Sequence, residues 1–131
     1  MCSVIILYRP GHDWPILWAS NRDEMADRPW SPPARHWPDR PEVMAGRDEL
    51  AGGTWLGVND TGLVAGVLNR RDTLGPMPGK RSRGELVLDA LDLFDASDAV
   101  DMLLGLDAHA YRPFNMVLAD NRDAFFVAHR D

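Results

Sequence analysis

The residue of this chain best suited to covalent chemistry is Cys2, the single cysteine, which directly follows Met1. Because the cysteine side chain is small, we expect methionine aminopeptidase to remove Met1 and leave Cys2 with a free α-amino group. In model peptides the pKa values of a thiol and an α-amine lie within about one unit. The neutral amine can then take the thiol proton, directly or through one water. The sequence therefore predicts an N-terminal cysteine nucleophile, and an incidental cysteine is the alternative.

A dense polar cluster, Asn21-Arg22-Asp23-Glu24, follows an apolar segment. An arginine keeps its charge and offers five donors, so Arg22 beside Cys2 would stabilise a thiolate. Asp23 would hold the α-amine or orient Arg22. The alternative interpretation is a solvated turn with a local ion pair.

Two asparagines each end a predicted strand, Asn59 and Asn69. A side-chain amide beside a nucleophile can donate into an oxyanion hole, which contributes about 3–4 kcal/mol of transition-state stabilisation. Asn59 begins the sequence Asn59-Asp60-Thr61-Gly62, which is typical of a hairpin turn. Asn69 opens a second polar cluster, Asn69-Arg70-Arg71-Asp72, and is the better oxyanion candidate.

The other side chains that could bind a ligand or take part in catalysis are scattered along the sequence. The four histidines share no metal-ligand spacing, and Gly52-Gly53 is not followed by a helix-opening pattern, so neither a metal nor a phosphate loop is predicted. The basic run from Lys80 to Arg83 could meet a phosphate or carboxylate, but a solvated loop is the favoured interpretation. The five tryptophans are expected mainly in the core, with some lining an apolar site.

Composition narrows the classes of protein. The 131 residues are 45% hydrophobic and 26% charged, with a formal net charge of −6, typical of a water-soluble globular chain. The sequence has no long run of lysines and arginines, so a nucleic acid is not the expected partner. One cysteine excludes an internal disulfide and a multi-cysteine zinc site. There is no apolar run near 18 residues and no signal-peptide core, so we expect no membrane span and a cytoplasmic location.

The elements around these residues are predicted from apolar patterning. Strands are expected at Val4 to Tyr8, Pro15 to Ser20, Gly52 to Asn59, Leu63 to Leu68, Asn115 to Ala119 and Ala124 to His129. The first two form a hairpin that starts at Cys2. A proline-rich stretch from Arg28 to Pro41 makes a helix or central strand improbable, and its residues Trp30 and Trp37 are expected to pin it to the body.

Two amphipathic helices are predicted between the strands. Glu85 to Phe94 places Val87, Ala90, Leu91 and Phe94 on one face. Ser82 or a neighbour would cap that helix. Ser97 is the expected N-cap of a second helix through about Leu106, with Val100, Leu103 and Leu104 on one face. Strands, then helices, then strands favour an α+β layered domain.

The blocks taken together resemble a known family. They are Met1-Cys2, Asn21-Arg22-Asp23-Glu24, Gly53-Thr54-Trp55-Leu56-Gly57-Val58-Asn59, Gly62-Leu63, Leu68-Asn69-Arg70 and Ser82-Arg83-Gly84-Glu85-Leu86. In this order they resemble the NRDE family, also called the Transport and Golgi organisation protein 2 family. The resemblance covers essentially the whole chain as a single domain, residues 1–131.

The family is similar to N-terminal-nucleophile (Ntn) hydrolases, and its enzymatic cousins are bile-salt and penicillin-V amide hydrolases and cysteine acyltransferases. The resemblance implies an αββα layered sandwich, with Cys2 as nucleophile, Arg22 and Asp23 as thiolate and amine partners, and Asn69 as oxyanion donor. The choice between Asp23 and Glu24 stays open. Substrate binding is assigned to Asn21, Glu24, Trp55, Asn59 and Arg70.

Two functions follow from the resemblance. One is an amidase or thioesterase acting on an acyl compound without a cofactor. The other is a non-catalytic carrier or chaperone for haem or a lipid, since eukaryotic family members are associated with haem trafficking and with lipid and coenzyme A metabolism.

Family members usually run well beyond 131 residues, and the Ser-Asn and Pro-Trp-Pro-Lys segments of their C-terminal part have no counterpart here. The chain is therefore expected to hold the N-terminal half of the sandwich, as a short or truncated form. Apolar faces left exposed by truncation would favour a homo-oligomer.

Overall fold

The computed structural model describes residues 2–130 and starts with a β-hairpin. Strands β1 (Val4–Tyr8) and β2 (Ile16–Ser20) pair antiparallel, with Val4 opposite Ser20 and Tyr8 opposite Ile16. Burial alternates along β1, because successive side chains point to opposite faces of a strand. The predicted hairpin is confirmed.

The remaining strands form one antiparallel six-stranded sheet in which neighbours in sequence are neighbours in space. They are β3 (Trp30–Ala34), β4 (Val43–Asp48), β5 (Leu56–Asn59), β6 (Val64–Asn69), β7 (Phe114–Ala119) and β8 (Ala124–His129). The predicted strands near β5 to β8 are confirmed, although β5 starts only at Leu56.

The helices are inserted between β6 and β7. Helix α1 (Gly84–Leu91) packs on β5 and β6, and α2 (Ala96–Leu104) packs on β7 and β8. A short 3₁₀ turn, Ala108–Ala110, leads into β7. The buried core lies between the helices and the sheet and includes Leu63, Leu86, Leu91, Met116 and Leu118.

The two faces of the sheet are covered by different layers. Ala65 belongs to the core beneath the helices, whereas its neighbour Gly66 faces the hairpin. A Cβ placed on Gly66 would lie 2.8 Å from Cζ2 of Trp18, so only glycine lets the indole approach this closely. Helices, sheet and hairpin thus form three layers, and the predicted α+β class is confirmed.

The proline-rich stretch forms neither a helix nor a central strand, as predicted. It contributes β3, an edge strand whose pairing register breaks between Ser31 and Ala34, where Pro32 and Pro33 supply no ladder donors. Trp37 is buried as predicted and donates to the Gly52 carbonyl at 2.9 Å.

Several sequence expectations are wrong in detail. The tryptophans do not lie mainly in the core: Trp37 is buried, but Trp14 and Trp30 are 69% and 56% exposed. The Trp30 ring does contact Trp55 edge-on, as expected of a residue that holds its loop against the body. Phe94 is exposed because α1 ends at Leu91, so the helical period no longer carries residue 94 to the buried face. Leu104, the last residue of α2, is exposed as well, whereas its neighbour Leu103 is buried. The strand β4 was not predicted.

The helix starts also differ from expectation. Asp95, not Ser97, caps α2: its backbone is extended and its carboxylate accepts from the Asp98 N–H at 2.9 Å. No side chain caps α1, so Ser82 does not have the predicted role. Within residues 2–130 no helix has the length and apolar character needed to cross a membrane.

Candidate active site

The hairpin register brings Cys2 beside the Asn21-Arg22-Asp23-Glu24 cluster. Because Val4 pairs with Ser20, the residues just before β1 meet those just after β2. The Ser3 N–H donates to Oδ1 of Asn21 at 2.7 Å, and the Asn21 N–H donates to the Ser3 carbonyl at 3.3 Å. Cys2, half-buried, is therefore held next to this cluster.

Cys2 lies on the wall of a cavity of about 250 Å³. Trp18 and Asn21 come to that wall from the hairpin, and Trp55 and Asn69 come from the sheet. The close packing of Trp18 on Gly66 sets the distance between these two layers. The cavity therefore forms where the end of β2 crosses the end of β6.

A second cavity, of about 160 Å³, adjoins the first. Its lining includes Arg70, Arg71, Asp72 and Leu74 from the loop after β6. Three residues line both cavities: Cys2, Asp23 and Asn69. Cys2 thus borders both cavities, together with the predicted acid Asp23 and the predicted oxyanion donor Asn69. Glu24 lines the larger cavity but not the smaller one.

Arg22 is held in the wall of the larger cavity by an aromatic ring. Its guanidinium carbon lies 4.3 Å from the ring centroid of Trp55, a cation–π contact. Trp55 in turn packs on β4, where a Cβ on Gly46 would approach its indole to 2.5 Å. The absence of a side chain at Gly46 therefore lets Trp55 pack closely on β4, and Trp55 in turn positions Arg22.

Glu24 belongs to an ion-pair network. Arg28 donates to Asp48 with Nη2–Oδ2 at 2.6 Å, and its Nε lies 4.0 Å from Oε2 of Glu24. Burial by itself would raise the pKa of Asp48, but Arg28 and the N–H groups of Ala51 and Leu50 hold it below its ordinary value. The network anchors the segment after Glu24 to β4.

Arg83 is a cavity residue whose position the solvated-loop interpretation missed. It is partly buried and donates to the Thr73 carbonyl at 2.7 Å and the Pro113 carbonyl at 2.9 Å. Burial, followed by the charge of Arg112, lowers the pKa of Arg83, and the charges of Glu24 and Cys2 oppose that shift. The signal was its place in the Ser82-Arg83-Gly84-Glu85-Leu86 block.

Backbone packing explains why Arg83 reaches the cavity. A Cβ on Gly53 would lie 2.7 Å from the carbonyl carbon of Gly84, and the Thr54 N–H donates to the Gly84 carbonyl at 3.3 Å. The start of α1 is thus pressed against the segment before β5. That contact places residue 83 at the edge of the cavity.

The structure does not bring Asn59 to either cavity. Its Nδ2 donates to the carbonyls of Leu91 and Leu93 at 3.0 and 2.9 Å, and its Oδ1 accepts from the N–H groups of Thr61 and Leu63. Asn59 therefore closes the β5–β6 turn and the end of α1. Arg70 lines the smaller cavity and donates to Oδ1 of Asn115 at 2.8 Å.

The described residues contain no metal-binding cluster: among residues 2–130 no three His, Cys, Asp or Glu side chains lie close enough to hold an ion. Of the same residues, the linings of the two cavities include no histidine. Met77 and Cys2 are the sulfur-bearing side chains of the larger cavity.

The fold and site define an α+β protein whose cysteine, next to the chain start, borders two adjacent cavities. Comparison of sequences places it more narrowly: the family model for Transport and Golgi organisation 2 matches residues 1–131, and the chain belongs to that family.

Curated relatives agree with this membership. The chain is 33% identical over 129 residues to the Transport and Golgi organization 2 homolog of Mus musculus, and 32% identical to the protein of that family in Homo sapiens. Both alignments cover 92% of the chain and 45% of the relative. The chain thus spans about half the length of the curated relatives that it matches.

Proposed function

We propose that this protein hydrolyses an amide or thioester bond of an acyl compound, with Cys2 as an N-terminal nucleophile. The observation that carries the proposal is the shared wall: Cys2, Asp23 and Asn69 border both cavities. A reacting carbonyl placed there has room for its acyl part on one side and its leaving group on the other. This arrangement is analogous to that of Ntn hydrolases, with an αββα sandwich as the proposed complete fold.

The chemical steps can be written with this chain's own groups. After removal of Met1, which lies outside the described residues, the α-amine of Cys2 takes the thiol proton while Sγ bonds to the carbonyl carbon. Collapse of the tetrahedral intermediate breaks the bond to the leaving nitrogen or sulfur, which receives that proton. Water then attacks the acyl-cysteine thioester while one of its protons passes to the amine. Collapse of this second tetrahedral intermediate breaks the bond to Sγ and releases the carboxylic acid, and the ammonium returns its proton to Sγ to restore the thiol.

The neighbouring side chains support these steps. Asn69 is proposed to donate its amide N–H to the oxyanion of each tetrahedral intermediate. Arg22, held on Trp55, stabilises the thiolate. Asp23 is the proposed partner of the α-amine, because it borders both cavities with Cys2. Glu24, by contrast, lies beside Arg28 and lines only the larger of the two cavities.

The test combines the N-terminal mass with the reactivity of the thiol. We expect purified protein to lack Met1, and an iodoacetamide probe to label Cys2 stoichiometrically, with labelling lost in Cys2→Ala. Octanoyl thioester hydrolysis should fall at least 10³-fold in Cys2→Ala. Ser3→Ala, one residue further along, is the matched control and should retain activity. Protein that keeps Met1 in its native host would rule out the mechanism.

The second candidate function is a haem or lipid carrier, favoured by the indoles of Trp18 and Trp55 in the larger cavity. Since neither described cavity lining includes a histidine, an axial haem ligand would come from Cys2 or Met77. A haemin titration that saturates at one equivalent, with a Soret shift lost in Met77→Leu or Cys2→Ala, would support this function. Unsaturable uptake would count against it.

A further inference from the structure

The charges of this protein are unevenly distributed around the larger cavity. The chain has a formal net charge of −6, yet six of its fourteen lysines and arginines line this one cavity. The lining cations are Arg22, Arg28, Lys80, Arg81, Arg83 and Arg112, against the acids Asp23, Glu24 and Asp48. An acidic protein therefore surrounds a locally positive space.

Within residues 2–130, most of these cations have no carboxylate at ion-pair distance. Arg28 forms ion pairs with Asp48 and Glu24, and Arg81 forms one with Glu85 at 2.6 Å. Among residues 2–130, Arg22, Lys80, Arg83 and Arg112 make no ion pair within 4.0 Å. These four will be called the unpaired cations.

Two of the unpaired cations donate hydrogen bonds to the same loop, residues 73–75. Arg83 donates to Thr73, and Arg112 donates to the carbonyls of Leu74 and Gly75, each at 3.0 Å. Their positive charges oppose each other, which is one reason why the pKa of Arg83 is lowered. Carbonyl oxygens orient a guanidinium but do not neutralise it. An anion entering the cavity would supply the missing charge.

We propose that the compound hydrolysed at Cys2 carries an anionic group, a carboxylate or a phosphate, which the larger cavity binds through Arg83, Arg112 and Lys80. The assignment rests on the proposed function for the position of the reacting carbonyl. The cavity, at about 250 Å³, is just below the size of whole small-molecule sites, so it holds the anionic part of a longer compound. The smaller cavity takes the remainder.

Four octanoyl-type thioesters test this preference: a neutral N-acetylcysteamine ester, a mercaptoacetate ester, a 2-mercaptoethyl phosphate ester, and an N-acetylcysteamine ester with a terminal carboxylate on its acyl chain. Binding to the Cys2→Ala protein is measured by calorimetry, so that no turnover is needed. We expect at least one anionic probe to bind at least tenfold more tightly than the neutral probe, with the preference shrinking in 0.5 M salt. The better anionic probe distinguishes carboxylate from phosphate.

Variants assign the effect to the cavity. Arg112→Gln should weaken binding of the preferred anionic probe on the order of tenfold and leave the neutral probe unchanged. Lys80→Gln, at an exposed position, gives the same test if Arg112→Gln does not fold. Arg122→Gln removes an exposed cation from the β7–β8 turn and is the charge-matched control.

The outcomes separate the two proposals. Equal binding of neutral and anionic probes, or no binding of any anionic probe, overturns the anionic preference whether or not Cys2 hydrolyses thioesters. An anionic preference that depends on Arg112, in a protein whose Cys2 neither reacts nor turns over, supports the anion site and overturns hydrolysis.

Discussion

Asn21 and Ser3 are joined by a reciprocal pair of hydrogen bonds, one from the Ser3 N–H to the Asn21 side chain and one from the Asn21 N–H to the Ser3 carbonyl. The pair closes the open end of the β1–β2 hairpin, one residue from Cys2. The position of Cys2 thus depends on the first residue of the cluster that contains Arg22 and Asp23.

Asn21→Ala is expected to loosen Cys2 more than it destabilises the fold. It removes the side-chain acceptor, and since residue 21 is exposed, we expect a loss of about 0.5–1.5 kcal/mol in the free energy of unfolding. Thioester hydrolysis should fall by a larger factor than stability predicts, because the thiol is no longer aligned. Urea unfolding and kcat measure the two effects. Asn21→Asp keeps the acceptor, and equal losses in both variants would contradict this role.

Gly66→Ala should displace the hairpin from the sheet. The new methyl would meet the Trp18 indole at 2.8 Å, so we expect about 1–3 kcal/mol of destabilisation and a change in tryptophan fluorescence. Gly105→Ala is the matched control, because its Cβ would find its nearest atom at 3.6 Å. If both variants melt at the same temperature as the unmodified protein, the close packing of Trp18 on β6 is disproved.

Asn59→Ala should lower the free energy of unfolding without changing the reactivity of the Cys2 thiol. Removing its buried amide leaves the carbonyls of Leu91 and Leu93 and two backbone N–H groups unpartnered, which we expect to cost about 2–4 kcal/mol. Under native conditions, the rate of Cys2 labelling should be unchanged. Asn69→Ala is the contrasting variant, with a kcat reduced about 10²–10³-fold and near-normal stability. A loss of thiol reactivity in folded Asn59→Ala would return Asn59 to the site.

Stability should fall in acid partly through Asp120. This buried carboxylate accepts from the N–H groups of Ala96, Arg122 and Asp123 at 2.8–2.9 Å. Burial would raise its pKa, but these three donors hold the pKa of Asp120 below the ordinary value.

Because the folded pKa of Asp120 is depressed, its contribution is present above the unfolded value of about 3.9 and is lost as the pH falls below it. Asp120→Asn should therefore cost about 1–3 kcal/mol at pH 7 and give a shallower decline of the melting temperature between about pH 5 and pH 2. Asp101→Asn, an exposed change in α2, should leave that decline intact. A parallel decline in Asp120→Asn would contradict the assignment.

Local patterns were sufficient for much of the fold. The run from Val4 to Tyr8, the turn-forming Arg9-Pro10-Gly11 and the following apolar segment identify a hairpin, because strand period and turn chemistry are properties of adjacent residues. The same applies to the turn between β7 and β8. Helix ends were less predictable, since Asp95 and Ser97 are both good N-cap types and only the course of the chain selects Asp95.

The sequence by itself determined which groups are available for chemistry: one thiol at Cys2 and polar clusters at strand ends. Tertiary structure decided which of them meet. Asn59 and Asn69 have the same residue type and each ends a strand, yet the first closes a turn beneath α1 and the second borders both cavities with Cys2. Arg83 joins the cavity only because Gly53 and Gly84 let two distant backbone segments touch. Such contacts depend on how layers pack, which no local pattern of residue types encodes.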